Sequence, residues 1–302
     1  MKKIPLSEQD VIYISYDEPN ADENWADLLN KCPWAKRSHG VHGSDACHKA
    51  AAALSETERF IGIDGDNIID PKIFNLELDE VIVNSQRVIS WAAKNVVNGL
   101  VYGNGGIKSW PVKLVMEMET HECANSSKNK VDFCWNSNYI QMESIYSNVY
   151  NNASPYQAYR AGFREGVKMT LEEGATIPKD QFFKKIYPAN LKRLLTWCSI
   201  GADTENGLWC IYGARLGCYM TNLTDWNYTN VRDFEYHTKM WNEEIAPKFI
   251  GSDQHCFRSG YSWDESKLKK EIYSLGKLLD EKLNLKLNMF TPDQSAFVKE
   301  IM

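Results

Sequence analysis

Two aspartates one residue apart, Asp64 and Asp66, follow directly on an apolar run, Phe60-Ile61-Gly62-Ile63. Burying that run as a strand leaves both carboxylates at its exposed carboxyl end. There they can share a hard divalent cation, Mg²⁺ or Mn²⁺, which prefers carboxylate and water oxygens and often takes phosphate as a further ligand. A strand that ends in Asp-x-Asp is therefore a place to hold a metal-bound diphosphate, although Asp and Gly also suit any strand-ending turn. Asp17 and Glu18 close an earlier apolar run, Val11-Ile12-Tyr13-Ile14-Ser15-Tyr16. Gly43 and Ser44 open a helix whose amino terminus favours an anion. His48 and Lys49, in its first turns, are within reach of a diphosphate; a plain surface histidine is the alternative for His48.

The elements that must position these groups alternate. Val11–Tyr16 reads as a buried strand, and a helix follows through Trp25, Leu28 and Leu29. Trp34-Ala35-Lys36-Arg37 holds a short strand, Ala46–Leu54 an Ala-rich helix, and then comes the Asp-x-Asp strand. Strand, helix, strand, helix, strand is the signature of a parallel α/β sheet, whose ligands bind at the carboxyl ends of the strands. Asn98–Lys108 contains a Gly-rich loop without phosphate-loop spacing, and a hairpin turn is its plain alternative. Ser154-Pro155-Tyr156-Gln157 is a helix start, with the helix expected to run to Glu173 and stop at Gly174. A second helix is expected from Asp180 to Trp197. Leu208-Trp209-Cys210-Ile211-Tyr212 reads as a strand, and a final helical region begins at a capping box, Ser262-Trp263-Asp264-Glu265. Its stripe Leu268, Ile272, Leu275, Leu279 reads as packing. The fold class expected is α/β, a Rossmann-like mixed sheet flanked by helices. A nucleotide-binding half over residues 1–150 precedes a helical insertion and carboxyl-terminal region over 151–302.

The chain of 302 residues is 43% hydrophobic and 25% charged, as expected for a globular protein. No apolar run approaches the length of a membrane span, so no membrane partner is expected. The eight cysteines include no C-x-x-C pair; Cys47, Cys198 and Cys210 sit among apolar neighbours. They read as reduced core residues, and a cytoplasmic location is expected. Net charge is −6, yet between Pro155 and Arg193 eight cations face four acids, leaving +4 locally. A solvated helical surface is the plain reading of that segment, and a nucleic-acid contact is the functional one.

The first hundred residues resemble the nucleotide-sugar half of GT-A-fold glycosyltransferases, in which a Gly-x-x-x-Ala-x-Asn helix precedes Asp-x-Asp. Here Gly43, Ala46 and His48-Lys49-Ala50-Ala51 stand in that helix, with His48-Lys49 where the family often has Arg-Asn. The chain is also similar to glycosyltransferase-like proteins of tailed, T-even-type phages. The segments that carry this are Ile14–Ala21, Tyr102–Lys108, Tyr159–Glu165 and Trp197–Asp203. The resemblance implies a metal-dependent transferase using a nucleoside-diphosphate sugar, with UDP as the expected carrier, and Mn²⁺ or Mg²⁺ as cofactor. Some such phages glycosylate 5-hydroxymethylcytosine in their own DNA with glucose or arabinose, which makes DNA the implied acceptor.

Carried over by position, the resemblance implies a nucleotide-sugar site of Tyr16, Asp17, Glu18, Arg37, Gly43, His48, Asp64 and Gly65. It places Gly103, Asn104, Gly105, Gly106 and Lys108 in an acceptor or sugar loop. Asp64 tends toward the ribose or the metal's water and Asp66 ligates the cation; a late histidine, His237 or His255, is a further ligand. For the general base Glu165 comes first, then Asp132 and Asp203; an ion pair with Arg164 or Lys168 is the plain alternative for Glu165. Rival readings change the acceptor to a glycan, lipid-linked sugar or protein, or make the chain a nucleotidyltransferase or a non-catalytic phage binding protein. A nucleotidyltransferase would carry a Gly-rich basic loop after its first strand, where this chain has Asp17-Glu18-Pro19-Asn20.

Overall fold

The computed structural model describes residues 2–102, 105–119, 139–250 and 262–302. The described residues form two compact units, one up to Ala153 and one from Ser154 onward.

In the first unit the order is β1 (Lys3–Pro5), β2 (Asp10–Ser15), α1 (Ala21–Lys31), β3 (Lys36–His39), α2 (Ser44–Leu54), β4 (Arg59–Asp64) and β5 (Asn67–Ile69). Then follow β6 (Glu77–Asp79), α3 (Glu80–Val83), β7 (Val88–Asn95), β8 (Ile107–Pro111), α4 (Val112–Glu117) and β9 (Tyr139–Val149). Seven strands form one mixed sheet in the order β3-β2-β4-β8-β7-β9-β5. β2 is parallel to β3 and β4, whereas β8 is antiparallel to β4 and β7. The α/β class read from the sequence is present, and the parallel portion is confined on this side to β3-β2-β4.

Side chains alternate across these strands with period two. Val11, Tyr13, Ile61 and Ile63 share a core with Leu28 and Cys32 of the α1 side, against which Trp25 packs. Ile12, Ile14 and Phe60 share another with Ala51 and Ala52 of α2. The two helices thus cover opposite faces. The chain leaves β2 to one side to make β3 and returns on the other to make β4, so the carboxyl ends of β2 and β4 flank a topological switch point.

The second unit contains α5 (Pro155–Lys168), a short hairpin of β10 (Leu171–Glu172) and β11 (Ala175–Thr176), α6 (Phe182–Lys185), α7 (Pro188–Trp197) and α8 (Gly207–Leu223). It continues with α9 (Phe234–Met240), α10 (Ala246–Phe249), α11 (Glu265–Leu283) and α12 (Pro292–Ile301). Leu208–Tyr212 is helical and not a strand: it belongs to α8. The glycine that closes that apolar run, Gly213, allows α8 to lie against the backbone of α5, where a Cβ would meet the Tyr159 carbonyl oxygen. α5 ends earlier than expected. Glu173 and Gly174, at φ +49° and +82°, make the hairpin turn that joins β10 to β11, so Gly174 is not a helix stop. The helix expected from Asp180 to Trp197 breaks before Pro188, whose ring disfavours helical backbone at Tyr187, here at ψ 127°. α11 is capped by Asp264, which accepts from the Lys267 N–H at 2.9 Å, instead of by Ser262. Among the described residues no helix is long and apolar enough to cross a membrane.

Candidate functional site

The turn after β4 is held from below by β2 and α1. The Tyr13 hydroxyl donates to the Gly65 carbonyl at 2.6 Å, and Asn24 Nδ2 donates to the same oxygen at 3.0 Å. Both partners are buried, so the peptide between Asp64 and Asp66 is fixed by bonds that water does not compete for. A Cβ at Gly65 would sit 2.9 Å from Glu18 Oε2 and from Ser15 Cβ. Glycine at that position lets the Glu18 carboxylate lie against the turn. Glu18 is itself oriented by the Tyr16 N–H, which donates to Oε2 at 2.8 Å.

From the other side the turn is braced by the Gly-rich loop. The Asp64 N–H donates to the Gly106 carbonyl at 2.8 Å. Lys108 Nζ donates to the Gly105 carbonyl at 2.9 Å and lies 3.5 Å from Asp64 Oδ2. Lys108 pairs in register with Gly62, two residues before Asp64 on β4. A Cβ at Gly106 would collide with the Asn67 side chain, whose Nδ2 donates to Asp66 Oδ1 at 2.7 Å. Gly105, Gly106 and Lys108, expected in an acceptor or sugar loop, here support the Asp-x-Asp turn. Gly103 and Asn104 lie outside the described residues.

Burial, then the negative charges of Asp64 and Glu18, push the Asp66 carboxyl up to about 7, against the downward pull of Asn67. Three acids from two strand ends therefore crowd one place. Asp64 and Asp66 suit a hard divalent cation in donor type; among the described residues no group of three His, Cys, Asp or Glu side chains is placed to hold one unaided.

His48 sits on the α2 face, edge-on to Trp110 at 5.1 Å between ring centres. Burial holds its imidazole below the usual range. A carbonyl can only accept, so the 2.7 Å contact from Nδ1 to the Ser44 oxygen puts the proton on Nδ1. The neutral ring then offers a lone pair at Nε2, which is not a donor to a diphosphate. Lys49 pairs with Asp45 at 2.7 Å. Gly43 supplies the φ of +90° from which α2 starts.

Arg37, on β3, donates from Nε to Ser15 Oγ at 3.2 Å and from a terminal nitrogen to His39 Nδ1 at 3.1 Å. It also pairs with Asp22 at 2.8 Å and lies over the Tyr13 and Trp25 rings. A guanidinium only donates, so His39 Nδ1 accepts and the ring presents Nε2–H outward. His39 was not singled out in the sequence; its signal is the parallel register that sets it beside Ser15 at the end of β2. Tyr16 is 42% exposed and meets His42 edge-on at 5.7 Å. Asp17 is exposed at the same strand end.

The acids expected to act as base have structural partners in the second unit. Glu165 pairs with Lys168 at 3.3 Å, and Asp203 pairs with Lys299, which also donates to Thr204 at 2.8 Å. Asp132 and His255 lie outside the described residues. His237 is 1% exposed, packs edge-on against Phe163 and contacts the Val231 carbonyl at 3.1 Å through Nε2. Burial pulls its imidazole down to about 4. That is the setting of a core histidine. Cys198 and Cys210 are buried as expected, and Cys47 is half-buried.

No known protein-family profile matches this chain, and no curated protein is significantly similar to it in sequence.

Proposed function

We propose that this chain is a metal-dependent glycosyltransferase that moves a sugar from a nucleoside diphosphate, UDP being the expected carrier, to an acceptor hydroxyl. The observation that carries the reading is the meeting of Asp64, Asp66 and Glu18 where the carboxyl ends of β2 and β4 flank a switch point. Asp64 and Asp66 are the residues that would hold Mg²⁺ or Mn²⁺, with diphosphate and water oxygens completing the shell. Bound there, the cation would offset charge on the departing diphosphate. The chain's own contribution is positional: Tyr13 and Asn24 fix the Gly65 peptide, Gly106 fixes the Asp64 N–H, and Asn67 orients the Asp66 carboxylate. Arg37 and Ser15 hold His39 with a donor facing out of the strand end.

The proposed acceptor is 5-hydroxymethylcytosine in phage DNA. Its support is the phage resemblance together with the surplus of four positive charges between Pro155 and Arg193. Incubating the protein with hydroxymethylated DNA, plain DNA and a panel of UDP-sugars in Mn²⁺ tests both parts, with nucleoside mass spectrometry as the readout. The reading expects a sugar-sized mass gain on hydroxymethylated nucleosides only. Efficient transfer to a glycan with none to DNA would replace the acceptor, and no transfer to any acceptor would overturn the activity.

A further inference from the structure

A groove of about 670 Å³ runs through the second unit between α6, α7 and the chain that follows α11. Its floor is apolar, built from Leu191, Leu195, Ile200 and Leu285. The far wall is fixed where the Phe290 N–H donates to the Ser199 carbonyl at 3.0 Å. Asn284 and Lys286, both in left-handed backbone at φ +56° and +49°, bend the chain into that wall. Ile200 and Leu285 belong to the buried core, and Leu191 and Leu195 are half-buried. The groove is a cleft that the folded unit leaves open.

What surrounds the floor identifies its occupant. Phe183 lines the groove with 48% of its surface exposed, and Tyr187, beside the lining residue Pro188, is 56% exposed. Lys192 and Lys286 line the groove, and Lys184 and Lys185 follow Phe183 on α6. Among the described residues none of these four lysines is in an ion pair, whereas Lys168, Lys248, Lys269 and Lys299 of the same unit each pair with a carboxylate. Two neighbouring acids accept from backbone N–H groups instead of from these lysines. Glu172 accepts from the Tyr187 N–H at 3.2 Å and Asp280 accepts from the Lys286 N–H at 3.1 Å.

We infer that this groove binds a single strand of nucleic acid, with bases stacked on Phe183 and Tyr187 and phosphates met by the four lysines. Exposed flat rings interleaved with unpaired cations are the two components of sequence-tolerant single-strand binding. The rings favour a single strand over a duplex, since only unstacked bases present their faces. Lys184, Lys185 and Lys192 also belong to the charge surplus that supports the DNA acceptor, so the inference shares that part of the proposed function, but it concerns binding alone and its test needs no sugar transfer.

The test uses the full chain and a fluorescein-labelled twelve-nucleotide oligo-dT, followed by anisotropy at low and moderate salt, with the matching duplex for comparison. The wild type is expected to bind the single strand more tightly than the duplex, and to weaken as salt rises. Phe183→Ala with Tyr187→Ala should weaken single-strand binding by about tenfold or more while leaving the salt slope unchanged. Lys192→Glu with Lys286→Glu should weaken it and flatten the slope. All four residues are on the surface or line an open groove, and circular dichroism checks that the variants remain folded. As an independent readout, photocrosslinking of an iodouracil-substituted strand should map to the peptide containing Phe183 or Tyr187. Absence of binding at low salt, unchanged affinity in both variants, or crosslinks that map elsewhere would overturn the inference. So would preferential capture of anionic lipid vesicles or of an acidic peptide through the same residues.

Discussion

The Tyr13 hydroxyl, midway through the depth of the sheet, donates to the carbonyl of Gly65 at 2.6 Å. That single bond ties the interior of β2 to the peptide between the two aspartates. With the Asn24 bond to the same oxygen and the Asp64 N–H bond to Gly106, it holds the turn in shape although three carboxylates lie around it. Tyr13→Phe keeps the ring and removes the tether. The loss of one buried hydrogen bond should cost about 1–2 kcal/mol of stability, seen as a lower urea midpoint. Donor affinity should fall while the far-ultraviolet circular dichroism is unchanged. Unaltered stability and affinity would mean that Asn24 alone suffices to hold Gly65.

The crowding at Asp66 sets a pH dependence. Its carboxyl is raised from 3.8 to about 7, so between those values the folded protein keeps a proton that the unfolded chain has released. By linkage, this group makes the metal-free protein lose stability as pH rises from about 4 to about 7, with no further loss above. The full effect is on the order of 4 kcal/mol. Asp66→Asn removes the titration, so the variant should match the wild type near pH 4 and exceed it at pH 8. Urea unfolding at both values checks this, and a variant that is less stable at pH 8 contradicts it.

His39 is expected to read the donor through its outward Nε2–H. His39→Ala should weaken nucleotide binding several-fold by calorimetry, and His39→Gln, which can still donate, should restore part of it. Equal affinity in all three proteins would remove His39 from the site.

Glu165 tests the second unit. Its half-buried pair with Lys168 spans one turn of α5. Glu165→Gln should cost less than about 1 kcal/mol of stability, as exposed and partly exposed ion pairs do. Transfer rate should stay within about threefold of wild type. A rate loss of about a hundredfold, the scale of a missing general base, would favour the catalytic role expected from the sequence over the ion pair.

The alternation in the first seventy residues was legible because β2 and β4 are short apolar runs closed by acids and each helix has a clear amphipathic or Ala-rich stretch. The placement of Asp64 and Asp66 at a strand end followed from that alone. Lys108 was not legible as their neighbour: its reach depends on pairing with Gly62 across an antiparallel strand, a register no local pattern encodes. The Leu208–Tyr212 run misled because a short apolar segment fits strand and buried helix equally. The decision was made by Gly162 and Gly166, which let α8 lie on α5.

The central claim is that Asp64 and Asp66 hold a divalent cation together with a nucleoside diphosphate. Thermal unfolding of the wild type and of Asp66→Asn at pH 8, with and without Mn²⁺ and UDP, tests it most directly. The account predicts that Mn²⁺ with UDP raises the wild-type midpoint, since a ligand that binds only the folded state stabilises it. Asp66→Asn should start from a higher midpoint and gain nothing from the same additions. A wild type indifferent to Mn²⁺ and UDP, or a variant that responds as strongly as the wild type, would contradict the claim.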